Sequence, residues 1–255
     1  MEKQFSIRTG ELNIPCILTY PDHGEVQRII LGIHGLGGSS NDAIQVGIAE
    51  EMDMFSAVTM RFDLPGHGSN SLPLTLRSCE DSVIAAAEYL RILYPNVEDL
   101  CIFATGFGAY LTLHCLDQLL NLPGNIKLVI QTPSVRMHQT LMSMVEMMGK
   151  PLLPQDSITF PTTPPLVITY DFYEELSHNI VLASYPIPML ILHGDDDKYI
   201  HSEDIRNFRR INEDAKLVII PGASHQFTES GAWDMVLDLT RDWFEFEQVL
   251  LTDWE

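Results

Sequence analysis

Positive charge is scarce in this chain. Its 255 residues hold 15 lysines and arginines against 35 aspartates and glutamates, a formal net charge of −20 at pH 7. Nucleic acid and anionic lipid are held through Lys and Arg, so a surface of this sign repels both. The acidic residues are scattered and form no tail, and the reading for them is solubility. Long apolar runs are missing as well. No stretch of about 18 apolar residues occurs, so no membrane span is expected. The opening Met1-Glu2-Lys3-Gln4-Phe5-Ser6 lacks an apolar leader segment. Cysteine is sparse: Cys16, Cys79, Cys101 and Cys115 form no Cys-x-x-Cys pair, so zinc spacing is absent. Cys101 and Cys115 fall in apolar stretches and read as buried thiols. A reducing, cytoplasmic setting is the expectation.

What is present suffices for a large core. The composition is 45% hydrophobic and 20% charged, enough for one core or a core with a small cap. Phe5–Thr9 and Leu12–Tyr20 read as an antiparallel hairpin around Gly10-Glu11, with Pro15 arguing for an edge position. A turn follows at residues 21–24. Buried strands are expected at Arg28–His34, Ser56–Phe62, Leu100–Ala104, Lys127–Thr132, Pro186–His193 and Ala215–Ile220. Helical spacing begins near Asn41-Asp42, covers Leu74–Tyr94, restarts at Ala109 and continues through Leu113, Leu116 and Leu120. Further helices are expected at His201–Arg210 and Ala232–Leu250. The alternation breaks between residues 134 and 185. That segment holds a methionine-rich run over Arg136–Lys150, a loop with five prolines over Pro151–Pro165 and a helix over Tyr170–Ala183.

The central stretch runs Leu100-Cys-Ile-Phe-Ala-Thr-Gly-Phe-Gly-Ala-Tyr-Leu-Thr-Leu113, a strand, a tight turn and a helix. Its turn, Ala104-Thr105-Gly106-Phe107-Gly108, resembles the Gly-x-Ser-x-Gly nucleophile elbow of the α/β-hydrolase family, with two departures. Ala104 stands at the first glycine and Gly106 stands at the serine. Other stretches carry the same resemblance in the family's order. His34-Gly35-Leu36-Gly37-Gly38 is similar to its oxyanion loop, and Gly66-His67-Gly68 to a turn after an early strand. His193-Gly194-Asp195-Asp196-Asp197 is similar to the loop bearing its acid, and Gly222-Ala223-Ser224-His225 to the loop bearing its histidine.

The resemblance implies an α/β-hydrolase fold: a mostly parallel central sheet of about eight strands flanked by helices, with a small inserted cap. Residues 1–133 and 186–255 would form the core and 134–185 the cap. It implies a carboxylic ester hydrolase framework of the Ser-His-Asp type, similar to small bacterial cinnamoyl and feruloyl esterases. Gly106 would hold the nucleophile position, Asp197 the acid and His225 the base. The backbone amides of Leu36 and Phe107 would form the oxyanion hole. No cofactor or metal is implied, and the partner would be a small ester with an apolar or aromatic group. The cap's Met, Phe and Tyr content offers Met142, Phe172 and Tyr173 for substrate contact.

With glycine at position 106 no covalent route exists. Two readings follow: an esterase disabled at residue 106, or a non-hydrolytic relative that binds a ligand in the same pocket. Intact partners at 197 and 225 favour the first. Other chemistries fare worse. Gly106-Phe107-Gly108 after a strand could suggest dinucleotide binding, but Leu111 replaces the third glycine and the next strand ends Gln131-Thr132 without an acid for a ribose. The side chain of Thr105 is expected to point away from the apex of the turn, which argues against it as a replacement. Asp63 and His67 suit structural turn chemistry, and His34 suits a hydrogen-bonding role beneath its loop. Consecutive acids at 195–197 diverge and lack a completing cluster for a metal. Oligomeric state is not written in the pattern.

Overall fold

The structure is a computed structural model and describes residues 1–22, 24–149 and 151–246. Three expectations run into the remaining residues: His23 in the first turn, Lys150 at the end of the methionine-rich run and 247–250 of the closing helix lie outside the described residues.

The chain enters through β1 (Glu2–Thr9) and β2 (Leu12–Thr19), then β3 (Arg28–Ile33), α1 (Ala43–Asp53), β4 (Ala57–Phe62) and α2 (Leu76–Leu93). Next come β5 (Asp99–Thr105), α3 (Phe107–His114), α4 (Leu116–Leu120) and β6 (Asn125–Gln131). The inserted segment forms α5 (Met137–Met147), β7 (Ser157–Phe160), β8 (Leu166–Thr169) and α6 (Tyr170–His178). The core resumes with β9 (Met189–Gly194), α7 (Ser202–Ile211), β10 (Lys216–Ile220) and α8 (Ala232–Phe246).

Eight strands make one sheet in the order β1-β2-β4-β3-β5-β6-β9-β10. The β1–β2 and β2–β4 pairs are antiparallel and the rest are parallel. Parallel strands are buried on both faces, and alternate residues divide between two cores. Ile29, Leu31, Leu100, Ile102, Leu128 and Ile130 face the layer of α2 and α3. Ile30, Cys101, Phe103, Val129, Leu190 and Leu192 face α8 with Val236, Trp243 and Phe244.

Three expectations need correction. First, β1 and not β2 is the edge strand. Pro15 opposes Ser6 of β1, one residue before β2 begins to pair with β4 at Cys16. Its carbonyl accepts the Asp63 amide at 3.0 Å. The N–H and C=O of a strand residue share one flank, so the missing donor faces ground where β4 has already ended and no ladder bond is lost. Second, Pro151–Pro165 is not all loop. Ile158 and Phe160 on β7, and Leu166 and Ile168 on β8, alternate inward and pair antiparallel. The prolines stand outside the two strands, where they remove no ladder bond. Third, two helices are shorter than their spacing predicts. The helix after the elbow breaks at Cys115 (φ −102°, ψ 15°), and α6 stops at Asn179, whose side-chain amide donates to the Glu175 carbonyl at 2.7 Å.

The inserted segment is tied to the core. The Leu76 amide donates to Glu175 Oε2 at 3.0 Å and the Tyr110 hydroxyl donates to the Asn179 carbonyl at 2.8 Å. Phe172 packs edge-on against Phe107 with centroids 5.8 Å apart. Among the described residues no helix is long and apolar enough to cross a membrane.

Two contacts set the strand ends. A Cβ on Gly108 would come within 2.5 Å of the Ile33 carbonyl oxygen and 2.6 Å of that of His34, so α3 crosses β3 at a distance only glycine permits. His34, at the end of β3, donates from Nδ1 to the Gly35 carbonyl at 2.8 Å and accepts the Leu64 amide at Nε2, 3.0 Å away. That pairing requires the neutral ring, and burial, with His67 beside it, pushes its pKa down to about 3. Burial likewise lowers His193 to about 4, and neither of its ring nitrogens has a hydrogen-bond partner among the described residues.

Two predictions follow from these contacts. Gly108→Ala is expected to lose about 1–3 kcal/mol of stability through overpacking against backbone that cannot retreat, read as a lower urea midpoint at unchanged slope. The histidines set an acid limit. Both stay neutral in the fold where free histidine, with its ordinary value of 6.5, is charged. Unfolding therefore takes up protons, so their contribution is complete above about pH 6.5 and is lost as the pH falls to about 4 and then to about 3. A urea-midpoint series should decline across that window, and His193→Leu should make the decline shallower.

Candidate active site

One residue turns the chain between β5 and α3. Gly106 takes φ 50° and ψ −108°, a conformation that costs an L-residue energy and costs glycine little. Both of its peptide groups are engaged. Its amide donates to the Gln131 carbonyl at 3.0 Å, and its carbonyl accepts the amides of Tyr110 at 3.1 Å and Ser134 at 3.2 Å. The turn is thus held from β6 and from α3. A Cβ built here would stand 3.9 Å from Gly35 Cα and 3.9 Å from His225 Nε2, which is ordinary contact. The backbone resists a side chain at residue 106, while the surrounding space receives one.

The loops after β9 and β10 meet beside this turn. His225 Nδ1 lies 2.8 Å from Asp197 Oδ2. Asp197 Oδ1 accepts the amides of Tyr199 at 2.8 Å and Ile200 at 3.0 Å. Burial alone would raise the Asp197 pKa. The hydrogen bond and charge of His225, with the two amides, outweigh it and hold the carboxylate below its ordinary range. An ionised Asp197 can only accept, so Nδ1 carries the proton, and in the neutral ring Nε2 is the acceptor. Tyr199 stands edge-on to the imidazole at 5.2 Å and limits how the ring can turn. The neighbouring acids diverge: Asp195 accepts the Gly222 amide at 2.6 Å, and Asp196 pairs with Lys198.

The glycine loop after β3 closes the third side. The Gly38 amide returns to the Gly35 carbonyl at 3.1 Å, and Asp42 Oδ1 accepts the Ser39 amide at 2.9 Å. Behind the loop, the buried Arg61 donates from Nη1 to the Ser40 carbonyl at 2.8 Å and pairs with Glu2. Asp63 accepts the amides of Ser40 at 2.7 Å and Ser69 at 2.8 Å. His67 donates from Nδ1 to the Pro65 carbonyl at 2.9 Å. Asp63 and His67 are therefore spent on turns, and His34 on the loop base. Arg61 was not singled out from sequence. A lone arginine in an apolar strand is the signal that could have marked it, since a buried guanidinium demands acceptors.

These elements enclose a cavity of about 470 Å³. Leu36 and Phe107 line it, as do Gly106 and His225. The Phe107 amide opens α3 and has no partner one turn earlier in the helix. The apolar wall comes from Ile44, Met137, Met144 and Trp233, and hydroxyls from Thr105, Thr132, Ser134, Thr140, Thr162 and Thr228. Among the described residues that line the cavity there is no lysine or arginine.

Met142, Phe172 and Tyr173 do not line it. On α5 the cavity face is Met137, Thr140 and Met144, spaced i, i+3, i+7, and Met142 points away from it with 38% of its surface exposed. Phe172 is spent against Phe107, and Tyr173 packs on His138 at 4.4 Å. The same segment supplies Met137, Thr140 and Met144 to the cavity instead. Thr162 and Trp233 reach the cavity from the β7–β8 turn and the start of α8, which no local pattern indicates.

No family model and no curated protein matches this sequence. Solved structures do. Est1E from Butyrivibrio proteoclasticus, with ferulic acid bound, superposes with a TM-score of 0.79 at 19% identity, covering 96% of this chain and 98% of that one. A putative hydrolase from Agrobacterium vitis S4 gives 0.76 at 13% identity, covering 94% and 97%. Mouse alpha/beta hydrolase domain-containing protein 10 gives 0.72 at 18% identity, covering 96% and 100%. The sheet order, the turn at residue 106 and these whole-length superpositions agree: the chain has the α/β-hydrolase fold.

Proposed function

We propose that the cavity receives a small uncharged carboxylic ester, in a Ser-His-Asp hydrolase framework from which the attacking oxygen has been removed at residue 106. The observation that carries this reading is the dyad beside an open turn. His225 Nε2 stands 3.9 Å from where a Cβ of residue 106 would be, with Asp197 bonded behind it. An oxygen one bond beyond that Cβ comes within hydrogen-bond reach of Nε2.

The ester carbonyl would lie between the Leu36 and Phe107 amides, which would hold the oxyanion. Its apolar or aromatic group would rest on Met137, Met144 and Trp233. A cavity with no lysine or arginine among the described residues that line it suits a neutral ligand better than a carboxylate or phosphate. The ferulic acid held by Est1E supports an aromatic group there. Residues 134–185 would act as a cap that shapes the pocket. The reaction needs no cofactor, and a cytoplasmic setting suits four free, buried thiols. With a serine in place, His225 would take its proton, the oxygen would attack the carbonyl, and water would release the acid from the acyl-enzyme. Gly106 closes that route.

The second reading, a ligand-binding protein of the same fold that never hydrolysed, is favoured by one fact. Glycine fits φ 50° without the strain a serine would carry.

Gly106→Ser separates the two. The variant should lose about 1–2 kcal/mol of stability to its left-handed backbone. It should release 4-nitrophenol from 4-nitrophenyl butyrate at least ~10³-fold faster than the parent, with a burst of one acyl group per chain. Gly106→Ala should be equally strained and gain nothing. A folded Gly106→Ser chain without gain or burst overturns the disabled-esterase reading.

A further inference from the structure

We propose that the chain as it stands, with Gly106 in place, hydrolyses esters of acidic alcohols by direct attack of water, with the His225–Asp197 dyad as general base and no acyl-enzyme. The proposal rests on the ester reading above and adds a reaction route that it does not contain.

Three observations carry it. The hydrogen bond from Nδ1 to Asp197 Oδ2 at 2.8 Å leaves Nε2 of the neutral ring as the acceptor, 3.9 Å from where a Cβ of residue 106 would stand. Apart from its chain neighbours Thr105 and Phe107, the described atoms nearest to a Cβ at residue 106 would stand 3.9 Å away, so the ground between Nε2 and the turn has room for a water oxygen. Gly106 and His225 line the same cavity as Leu36 and Phe107, so such a water and a bound carbonyl share one space.

In a serine cycle the second half-reaction already uses water, activated by this same imidazole. That half requires a base, a water and a polarised carbonyl. None of the three is the side chain of residue 106. Without that side chain, the same base can direct water at the ester itself.

The step balances without any added reagent. The water oxygen forms a bond to the carbonyl carbon as its proton passes to His225 Nε2. The carbonyl π pair moves onto oxygen, where the Leu36 and Phe107 amides hold it. The intermediate collapses, the carbonyl re-forms, and the bond to the leaving alcohol breaks. The imidazolium returns its proton to that alcohol, and Asp197 stays ionised throughout. The products are one acid and one alcohol, and nothing is oxidised or reduced.

The route is slow for a stated reason. A bonded nucleophile has its entropy of approach settled in advance, and a water does not. What remains is general-base catalysis, typically 10²–10⁴-fold. Aryl and enol esters are therefore the class of substrate, because their alcohols depart readily.

The test uses the full chain, Gly106→Ser, His225→Gln and His225→Ala, each checked for a cooperative melting transition well above the assay temperature, with 4-nitrophenyl butyrate and a series of substituted phenyl butyrates. The parent should exceed the buffer rate by about 10²-fold, with linear product from time zero and no acyl adduct in the intact-mass spectrum. Both His225 variants should fall at least 10-fold. The parent's rate should rise more steeply with leaving-group acidity than that of Gly106→Ser. A parent no faster than buffer, a parent rate indifferent to His225, or an acyl adduct on the parent overturns the proposal. If Gly106→Ser shows its burst while the parent stays at the buffer rate, the ester framework stands and the water route falls. If the parent is His225-dependent and Gly106→Ser shows no burst, the water route stands and the covalent framework falls.

Discussion

The architecture of the site hangs on a close crossing of backbone. Helix α3 passes β3 with Gly108 so near the carbonyls of Ile33 and His34 that no Cβ fits between them. At that distance the chain must leave β5 and enter α3 through a single residue, and Gly106 takes a left-handed conformation to do so. The bonds from Gln131 and Ser134 then fix its peptide planes. Everything the cavity offers is arranged around this turn: the glycine loop on one side, the imidazole of His225 on the other, and the first amide of α3 beneath.

Charge is managed locally. In a chain with a net charge of −20, the buried carboxylates are each surrounded by donors. Asp197 holds two amides and a histidine, and Asp63 holds two amides and a hydroxyl. Burying an ionised carboxylate is costly unless its oxygens are satisfied in this way. The same bonds do positional work. Asp63 and Arg61 anchor the loop that carries Leu36, and Asp197 sets the tautomer that leaves His225 Nε2 free to accept. The positions of His225 and of the glycine loop thus depend on bonds made behind the cavity. A change at residue 106 touches none of them.

That separation lets the surrounding loops keep their form with glycine at residue 106. A side chain at residue 106 would contribute chemistry and strain but little packing, since its nearest neighbours stand 3.9 Å away. Glycine relieves the strain and leaves the dyad and glycine loop in position. Stability and covalent chemistry pull in opposite directions at this one residue, as they commonly do where a backbone is held in a sparsely populated conformation.

Order along the chain was legible from local pattern. Alternating buried strands and amphipathic helices, with glycines where strands end, could be read from residue type, while the mostly parallel sheet and the loops at residues 106, 197 and 225 were what the resemblance of those stretches implied. The reason is that a buried strand and a strand-to-helix turn each leave a short-range signature in residue type. Pairing was another matter. Pro15 signalled an edge but sits in the second strand of the sheet, because what matters is which neighbour faces its missing donor. The cavity wall depended on the tertiary structure too. Met144 and Met142 are alike in sequence, and only the packing of α5 turns one inward. Trp233 and Thr162 come from distant segments that meet once the sheet has brought their ends together. Sequence by itself determined which chemical groups this protein possesses and which one it lacks. The three-dimensional fold decided which of them share a space, because that is settled by contacts between residues far apart in the chain.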